Sequence, residues 1–211
     1  MRSYLTEFIG TFFLTLTICL TAITAGEFAP LAIGASLMVM VYMGGHISGA
    51  HYNPAVTLAV FLRGKLAKRD LAPYVIMQFL GAIVAGIVAR WLTSKSFAPD
   101  PSLDMTKLGA VAVEFLFAFA LALVVLNVAT ATRTAGNSYF GLAIGFTIMV
   151  SGYAVGPMTG AALNPAVGTG PALIRAAFDG GSLANVWIYW VGPLLGGIAA
   201  AGVFKFQNPG D

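Results

Sequence analysis

The chain has 211 residues, of which 58% are hydrophobic and only 9% are charged, with a formal net charge of +3. A soluble domain carries about 25% charged residues, so this composition excludes a water-soluble fold. The small positive charge comes from basic residues between apolar stretches and does not indicate a nucleic-acid partner.

Six long apolar stretches are interpreted as membrane spans, since a helix that crosses a bilayer requires about 20 mostly apolar residues. They are Tyr4–Ala25, Leu31–Gly45, Ala72–Leu92, Leu108–Ala131, Tyr139–Val155 and Ala184–Phe206. The short alternating segments of a transmembrane β-barrel are absent. The sequence therefore predicts an all-α integral membrane protein with six transmembrane helices, forming a single domain over residues 1–211.

A secretory signal peptide is the alternative interpretation of the first stretch. It is longer than a usual signal core and contains Glu7, where a signal peptide would be apolar, so we interpret it as a retained span. Cys19 in this stretch is the only cysteine of the chain. An intramolecular disulfide is therefore excluded.

Two further apolar segments, Pro54–Leu62 and Pro165–Ala176, are too short to cross. Each begins at an Asn-Pro pair, and proline fits the first turn of a helix because its missing N–H would be unpaired there. We therefore predict two re-entrant half-helices that begin at Asn53 and Asn164. Asn-Pro alone would indicate only a helix cap.

The chain also repeats itself. Glu7 recurs as Glu114, and Asn53-Pro54-Ala55 recurs as Asn164-Pro165-Ala166 at nearly the same spacing. Three spans separate the corresponding segments, so the second half must enter the membrane from the opposite face. This pattern predicts two inverted repeats, approximately residues 1–100 and 101–211, with the functional site where they meet.

Half-helices that enter from opposite faces meet at their N-termini, each of which carries unpaired N–H groups and about half a positive charge. The amides of Asn53 and Asn164 lie beside these termini. Such a short polar region in an apolar pore suits neutral molecules that accept hydrogen bonds, and it repels cations. The sequence therefore predicts a passive channel.

Two segments carry a resemblance to a known family: GHISGAHYNPAVT (45–57) and GAALNPAVGTGPA (160–172). They resemble the signature loops of the major intrinsic proteins, the aquaporins and aquaglyceroporins. The likeness extends to TEFIGTFFL (6–14), YVIMQFLGAIVAG (74–86) and WIYWVGPLLGG (187–197). It implies an hourglass fold, a homotetramer with one pore per subunit, transport of water and small neutral solutes, and no cofactor.

The intramembrane acids allow two interpretations. Glu7 and Glu114 could form a proton relay, because an ionisable residue within a span is functional or internally paired by default. The resemblance instead implies that each carboxylate supports the re-entrant loop of its own half, which we favour. His46 and His51 are interpreted in the same way, as loop-fixing residues rather than pH sensors.

In this family four positions form the narrowest constriction, and motif alignment places them on Ile33, Gly152, Ala161 and Val167. The arginine that most members carry is absent, since Val167 occupies its place, and none of the four residues is aromatic. This combination resembles some plant vacuolar-type members, permissive for urea, ammonia and hydrogen peroxide, and some bacterial metalloid channels. It predicts a wide opening, unless a residue such as Met158 refills it.

Orientation follows from the basic residues, which concentrate in cytoplasmic loops. Seven of them fall on one side of a six-span topology: Arg2, Arg63, Lys65, Lys68, Arg69, Arg133 and Lys205. Lys95, Lys107 and Arg175 fall on the other side. The sequence predicts a multi-pass protein of the cell membrane with both termini in the cytoplasm.

Several alternatives stay open at this point. The channel could mainly conduct a larger neutral solute, such as glycerol or a metalloid hydroxide. A proton-coupled secondary transporter would also show inverted repeats and intramembrane acids. The chain has no hydrolase motif and no metal-ligand cluster, so neither an enzyme nor a metal site is expected. An ion channel is disfavoured because no acidic ring or carbonyl filter motif is present.

Overall fold

The computed structural model describes residues 1–211 and consists of eight α-helices without strands. The helices are α1 (Arg2–Thr24), α2 (Ala29–Ser48), α3 (Pro54–Leu62), α4 (Lys68–Thr93), α5 (Lys107–Val125), α6 (Phe140–Thr159), α7 (Pro165–Asp179) and α8 (Ile188–Gln207). All except α3 and α7 are long and apolar enough to cross a membrane. The predicted all-α fold with six spans and two half-helices is confirmed.

The boundaries differ where the predicted apolar stretch was shorter than the helix. Residues Ala29–Ser48 form α2, against a predicted Leu31–Gly45, and Pro165–Asp179 form α7, against a predicted end at Ala176. Hydropathy marks the part of a helix within hydrocarbon, whereas the backbone beyond it must still pair its polar groups. The helix therefore continues into more polar sequence.

The fourth span departs from a regular helix at its end. Regular α5 stops at Val125, and residues Leu126–Thr130 form a π-helical turn. Polar side chains in this turn donate hydrogen bonds to backbone carbonyls one turn earlier, Asn127 to that of Leu123 and Thr130 to that of Leu126. The predicted continuous span Leu108–Ala131 is therefore α5 followed by a wide turn.

Small residues bring the long helices together in pairs: α1 with α4, α5 with α8, and α2 with α6. Gly34 on α2 and Gly145 on α6 face each other. A Cβ built on Gly145 would lie 2.5 Å from the Gly34 carbonyl oxygen, and one on Gly34 would lie 2.7 Å from that of Gly145. Only two glycines permit this approach of the backbones.

The two halves share one element order, two long helices, a half-helix and a further long helix. Each half-helix also packs against the last long helix of the other half, α3 on α8 and α7 on α4. The halves are thus interlocked around the half-helices. The division near residue 100 into two inverted repeats stays a prediction.

Polar contacts identify the two ends of the molecule. At one end, Tyr4 donates a hydrogen bond to Asp70 at 2.6 Å, and the buried Arg63 pairs with Asp211 at 2.8 Å. The Thr132 hydroxyl and N–H also bond Asp211, and with Arg63 they lower the pKa of that carboxyl. We call this the Lys65 end, after the lysine in the same segment as Arg63.

Contacts between other connections define the opposite end. Asn185 donates to Asp100 at 2.7 Å and accepts from Lys107. Arg90 pairs with Asp179 at 3.1 Å. We call this the Phe97 end, after an aromatic residue in the connection between α4 and α5.

Candidate functional site

The half-helices begin in the same way. Asn53 and Asn164 cap α3 and α7 with nearly equal extended backbone angles, φ −156° and ψ 122° for Asn53 and φ −156° and ψ 113° for Asn164. The Asn53 side-chain oxygen accepts from the Ala55 N–H at 2.8 Å, and that of Asn164 accepts from the Ala166 N–H at 2.9 Å. Pro54 and Pro165 occupy the first helical position, where no N–H is required.

The same two side chains connect the halves. Asn53 Nδ2 donates to the Leu163 carbonyl at 2.8 Å, and Asn164 Nδ2 donates to the Tyr52 carbonyl at 2.9 Å. An amide NH2 has two donors, and neither asparagine uses its second one within the protein. Both asparagines line one cavity. Each therefore presents a free N–H beside a helix N-terminus.

The backbone before each asparagine is left-handed at non-glycine residues. Ala50 and Tyr52 have φ of 52° and 50°, and Ala161 and Leu163 have φ of 45° and 50°. Positive φ is unfavourable for residues with a Cβ and persists only where other contacts impose it. The two loops therefore need support from outside their own segments.

Glu7 supplies that support in the first half. Its carboxylate is fully buried and accepts four hydrogen bonds, two on each oxygen. The donors are the Ser48 hydroxyl (2.6 Å), the His51 N–H (3.0 Å), the Tyr52 N–H (2.7 Å) and the Gln78 amide (2.8 Å). Two of these bonds fix the left-handed segment directly.

Glu114 takes the corresponding place in the second half. It is also fully buried and accepts from the Thr159 hydroxyl at 2.7 Å, the Ala162 N–H at 3.2 Å and the Leu163 N–H at 2.6 Å. No amide side chain plays the part of Gln78 here. Neither carboxylate forms a salt bridge, so each is stabilised by donors of its loop.

Several loop carbonyls have no partner in the protein. Those of Ala50, His51, Gly160, Ala161 and Ala162 accept no hydrogen bond, although all five residues line the cavity. An unpaired carbonyl in such a place requires water or a solute as its partner. The cavity wall thus includes unpaired acceptors from both loops besides the two asparagine donors.

Of the two histidines predicted to fix the loop, His46 requires a correction. His46, predicted as a loop-supporting residue, is exposed in the last turn of α2, and its ring forms no hydrogen bond. His51 is buried instead, and its Nδ1 lies 3.2 Å from the Thr57 hydroxyl. His46 belongs to the end of a helix that continues past its apolar stretch, whereas His51 lies inside the loop.

The cavity has a volume of about 60 Å³, which accommodates a few water molecules. All four residues predicted for the constriction line it together with both asparagines. Its other walls are mostly apolar, and they include Leu14, Ile18, Leu37, Val56, Leu121, Val125, Ile144 and Ile148. The arrangement is a small, mostly apolar cavity with a polar zone at the two asparagines.

Val167 contributes an uncharged part of this wall. The residue is 1% exposed and packs with Ala162 and Tyr189. Its N–H lies 3.4 Å from the Asn164 side-chain oxygen, so it belongs to the first turn of α7. No charged side chain lines the cavity.

The sequence predicted only the four constriction residues and the two asparagines of this wall, and Pro30, Phe97 and Pro99 are among the lining residues that it missed. Met158, named as the residue that could refill the opening, is 38% exposed and does not line the cavity. Pro30 is identified only by the packing of α2 on α6, where a Cβ on Gly152 would lie 2.8 Å from the proline Cβ. No motif marks Phe97 or Pro99.

Comparison with known proteins gives a consistent result. The family model described as major intrinsic protein matches residues 1–204. Aquaporin NIP1-1 of Zea mays is 37% identical over 99% of this chain and 76% of the maize protein. Aquaporin Z of Rhodopseudomonas palustris is 32% identical over 99% of this chain and 94% of the bacterial protein.

Among solved structures, the aquaglyceroporin from Plasmodium falciparum superimposes with a TM-score of 0.82. The superposition covers 99% of this chain and 96% of the other, at 24% identity. This likeness concerns the fold.

Proposed function

The chain belongs to the major intrinsic protein family and is a membrane channel for water and small neutral solutes, and we propose that these solutes cross through the cavity between α3 and α7. The supporting observation is that Asn53 and Asn164, each with a free N–H, line one mostly apolar cavity. A molecule that enters gives up its hydrogen bonds to bulk water. It replaces them with hydrogen bonds to the two amides and to the unpaired loop carbonyls.

Ions lack this compensation. Transfer of an unpaired ion into an apolar interior costs up to tens of kcal/mol in the idealised limit. The N-termini of α3 and α7 add about half a positive charge each, which repels cations beside Asn53 and Asn164. The channel therefore excludes ions and protons without an arginine in its wall.

We assign the constriction to Ile33, Gly152, Ala161 and Val167, all of which line the cavity. Their small or aliphatic side chains favour passage of urea, hydrogen peroxide or ammonia besides water. The competing assignment is a channel mainly for a larger neutral solute such as glycerol or a metalloid hydroxide. The ratio of solute to water permeability separates the two.

The experiment is stopped-flow permeability of proteoliposomes with water, urea, hydrogen peroxide and glycerol, against protein-free liposomes. We expect water permeability above the lipid background, together with passage of urea or hydrogen peroxide. Flux should rise linearly with concentration and be indifferent to a pH gradient. A flux that saturates with solute concentration, or that a pH gradient drives, would indicate a secondary transporter and contradict the proposal.

The assembly is proposed to be a homotetramer in the cell membrane, with both termini in the cytoplasm. The seven basic residues counted on the cytoplasmic side belong to the segments and helix ends that meet at the Lys65 end, which supports this orientation.

A further inference from the structure

An aromatic side chain lines the cavity although none was predicted there. Phe97 lies in the connection of residues 94–106 between α4 and α5, far in sequence from the constriction residues. It is half-buried and lines the same cavity as Gly152, Ala161 and Val167. The ring therefore borders the space that these small side chains leave.

A close contact positions the connection beside the constriction. Pro99, two residues after Phe97, is buried against Gly160. A Cβ built on Gly160 would lie 2.7 Å from the Pro99 Cβ and 2.9 Å from its Cα, and Gly160 has a φ of +81°. Both the backbone angle and the close approach require glycine at this position. Pro99 is thus fixed next to Ala161.

Hydrogen bonds hold the same connection from outside. The Ser102 N–H donates to the Met158 carbonyl at 2.9 Å, which joins the connection to the last turn of α6. The Asp100 carboxylate accepts from Asn185 at 2.7 Å, and Asn185 accepts from Lys107. Phe97 consequently belongs to a segment anchored at three points.

We propose that Phe97 is a specificity-determining residue of the channel, and that its ring sets the upper size of the neutral solutes that pass. The proposal rests on the conduction path proposed above. The ring takes up volume that Gly152 and Ala161 do not fill, and it offers an apolar surface without a hydrogen-bond donor. Bulky polyols lose hydrogen bonds against such a wall, whereas water keeps its bonds to the nearby carbonyls.

Removal of the ring should affect size selection alone. The free N–H groups and the N-termini of α3 and α7 do not depend on Phe97, so ion exclusion should be unchanged. Phe97→Ala should raise the glycerol-to-water permeability ratio about tenfold, which corresponds to about 1.4 kcal/mol of barrier. Phe97→Trp should lower the urea-to-water ratio below that of the wild type.

The matched control is Met158→Ala, an exposed residue at the same end of the molecule that does not line the cavity. Its permeability ratios should equal those of the wild type. Phe97→Leu, which keeps much of the side-chain volume, should give ratios between those of the wild type and Phe97→Ala. All variants are compared at equal amounts of monodisperse protein, so that a loss of folded channel is separated from a change in selectivity.

The outcomes distinguish this proposal from the conduction path. Unchanged solute-to-water ratios in Phe97→Ala and Phe97→Trp, in channels that conduct water, would overturn the role of Phe97 and leave the path intact. Water permeability of the wild type no higher than that of protein-free liposomes would instead contradict the proposed function. Solute-to-water permeability ratios that fall in the order Ala, Leu, Phe and Trp at position 97 would support the role of Phe97.

Discussion

At the scale of single residues, two buried carboxylates make the left-handed loops possible. Glu7 accepts hydrogen bonds from the N–H groups of His51 and Tyr52, and Glu114 accepts hydrogen bonds from those of Ala162 and Leu163. All hydrogen-bond partners of these carboxylates are donors, and none of these donors is a lysine or arginine side chain. This arrangement suits a structural support better than a proton relay, which requires a chain of titratable groups.

Glu7→Gln should therefore reduce stability more than it alters transport. The new amide places an NH2 where donors already point, and an unsatisfied buried polar group costs about 1–3 kcal/mol. We expect a lower yield of folded protein and a lower midpoint of thermal unfolding in detergent, with an unchanged pH profile of water flux. Glu27→Gln, on an exposed residue between α1 and α2, is the control. Normal stability with a shifted pH profile would favour the relay.

Val167→Arg tests the constriction. A guanidinium at this buried position must extend into the cavity, where it narrows the opening and repels cations by about 3 kcal/mol at 6 Å and an effective dielectric of 20. Passage of urea or hydrogen peroxide should fall while water permeability stays measurable by stopped flow. Val167→Met, which adds length without charge, separates size from charge. Solute flux equal to the wild type in Val167→Arg would show that Val167 does not line the constriction.

At the scale of helices, the distance between two walls of the cavity depends on how closely α2 and α6 approach each other. Gly34 and Gly145 allow backbone contact between α2 and α6, the helices that contribute Ile33 and Gly152 to the cavity. A change in this spacing shifts both walls of the constriction together. Small residues at such contacts are the usual means of packing helices in lipid.

Gly145→Ala should be destabilising, although alanine normally favours a helix over glycine by about 1 kcal/mol. The added Cβ would lie 2.5 Å from the Gly34 carbonyl oxygen, so the two helices must separate, at about 1–3 kcal/mol for overpacking. Thermal unfolding in detergent measures the effect. Gly202→Ala, where a Cβ meets no atom within 4 Å, should be neutral or stabilising. Equal midpoints for the two variants would contradict this packing argument.

At the scale of the whole molecule, the topology assigns one surface to each end. The Lys65 end gathers both termini and the segment between α3 and α4, whereas the Phe97 end gathers the segments that follow α4 and α7. Because basic residues concentrate in cytoplasmic loops, the Lys65 end is expected in the cytoplasm.

Cysteine labelling of intact cells tests this orientation. In a Cys19→Ser background, a membrane-impermeant maleimide should label Ser182→Cys, in the exposed connection before α8. It should label Gln207→Cys, at the exposed end of α8, only after the membrane is permeabilised. The reverse pattern would place both termini outside the cell.

The sequence by itself determined the features that depend on local chemistry. Bilayer thickness fixes the length of an apolar helix, so the six spans could be marked directly. Proline is favoured in a first helical turn, so the starts of α3 and α7 at Pro54 and Pro165 could be assigned to the residue. The repeated acids Glu7 and Glu114 indicated only that each needs a partner within the membrane, and the family resemblance implied that the partner is the loop.

Only the tertiary structure decided what depends on distant segments meeting. The placement of Phe97 follows from the contact of Pro99 with Gly160, and no property of residues 94–106 predicts it. Likewise His51 rather than His46 lies within the loop, because α2 continues past its apolar stretch. Sequence periodicity reports the environment of a helix face. The width of the cavity depends on which side chains from segments distant in sequence line it, and only folding brings those side chains together.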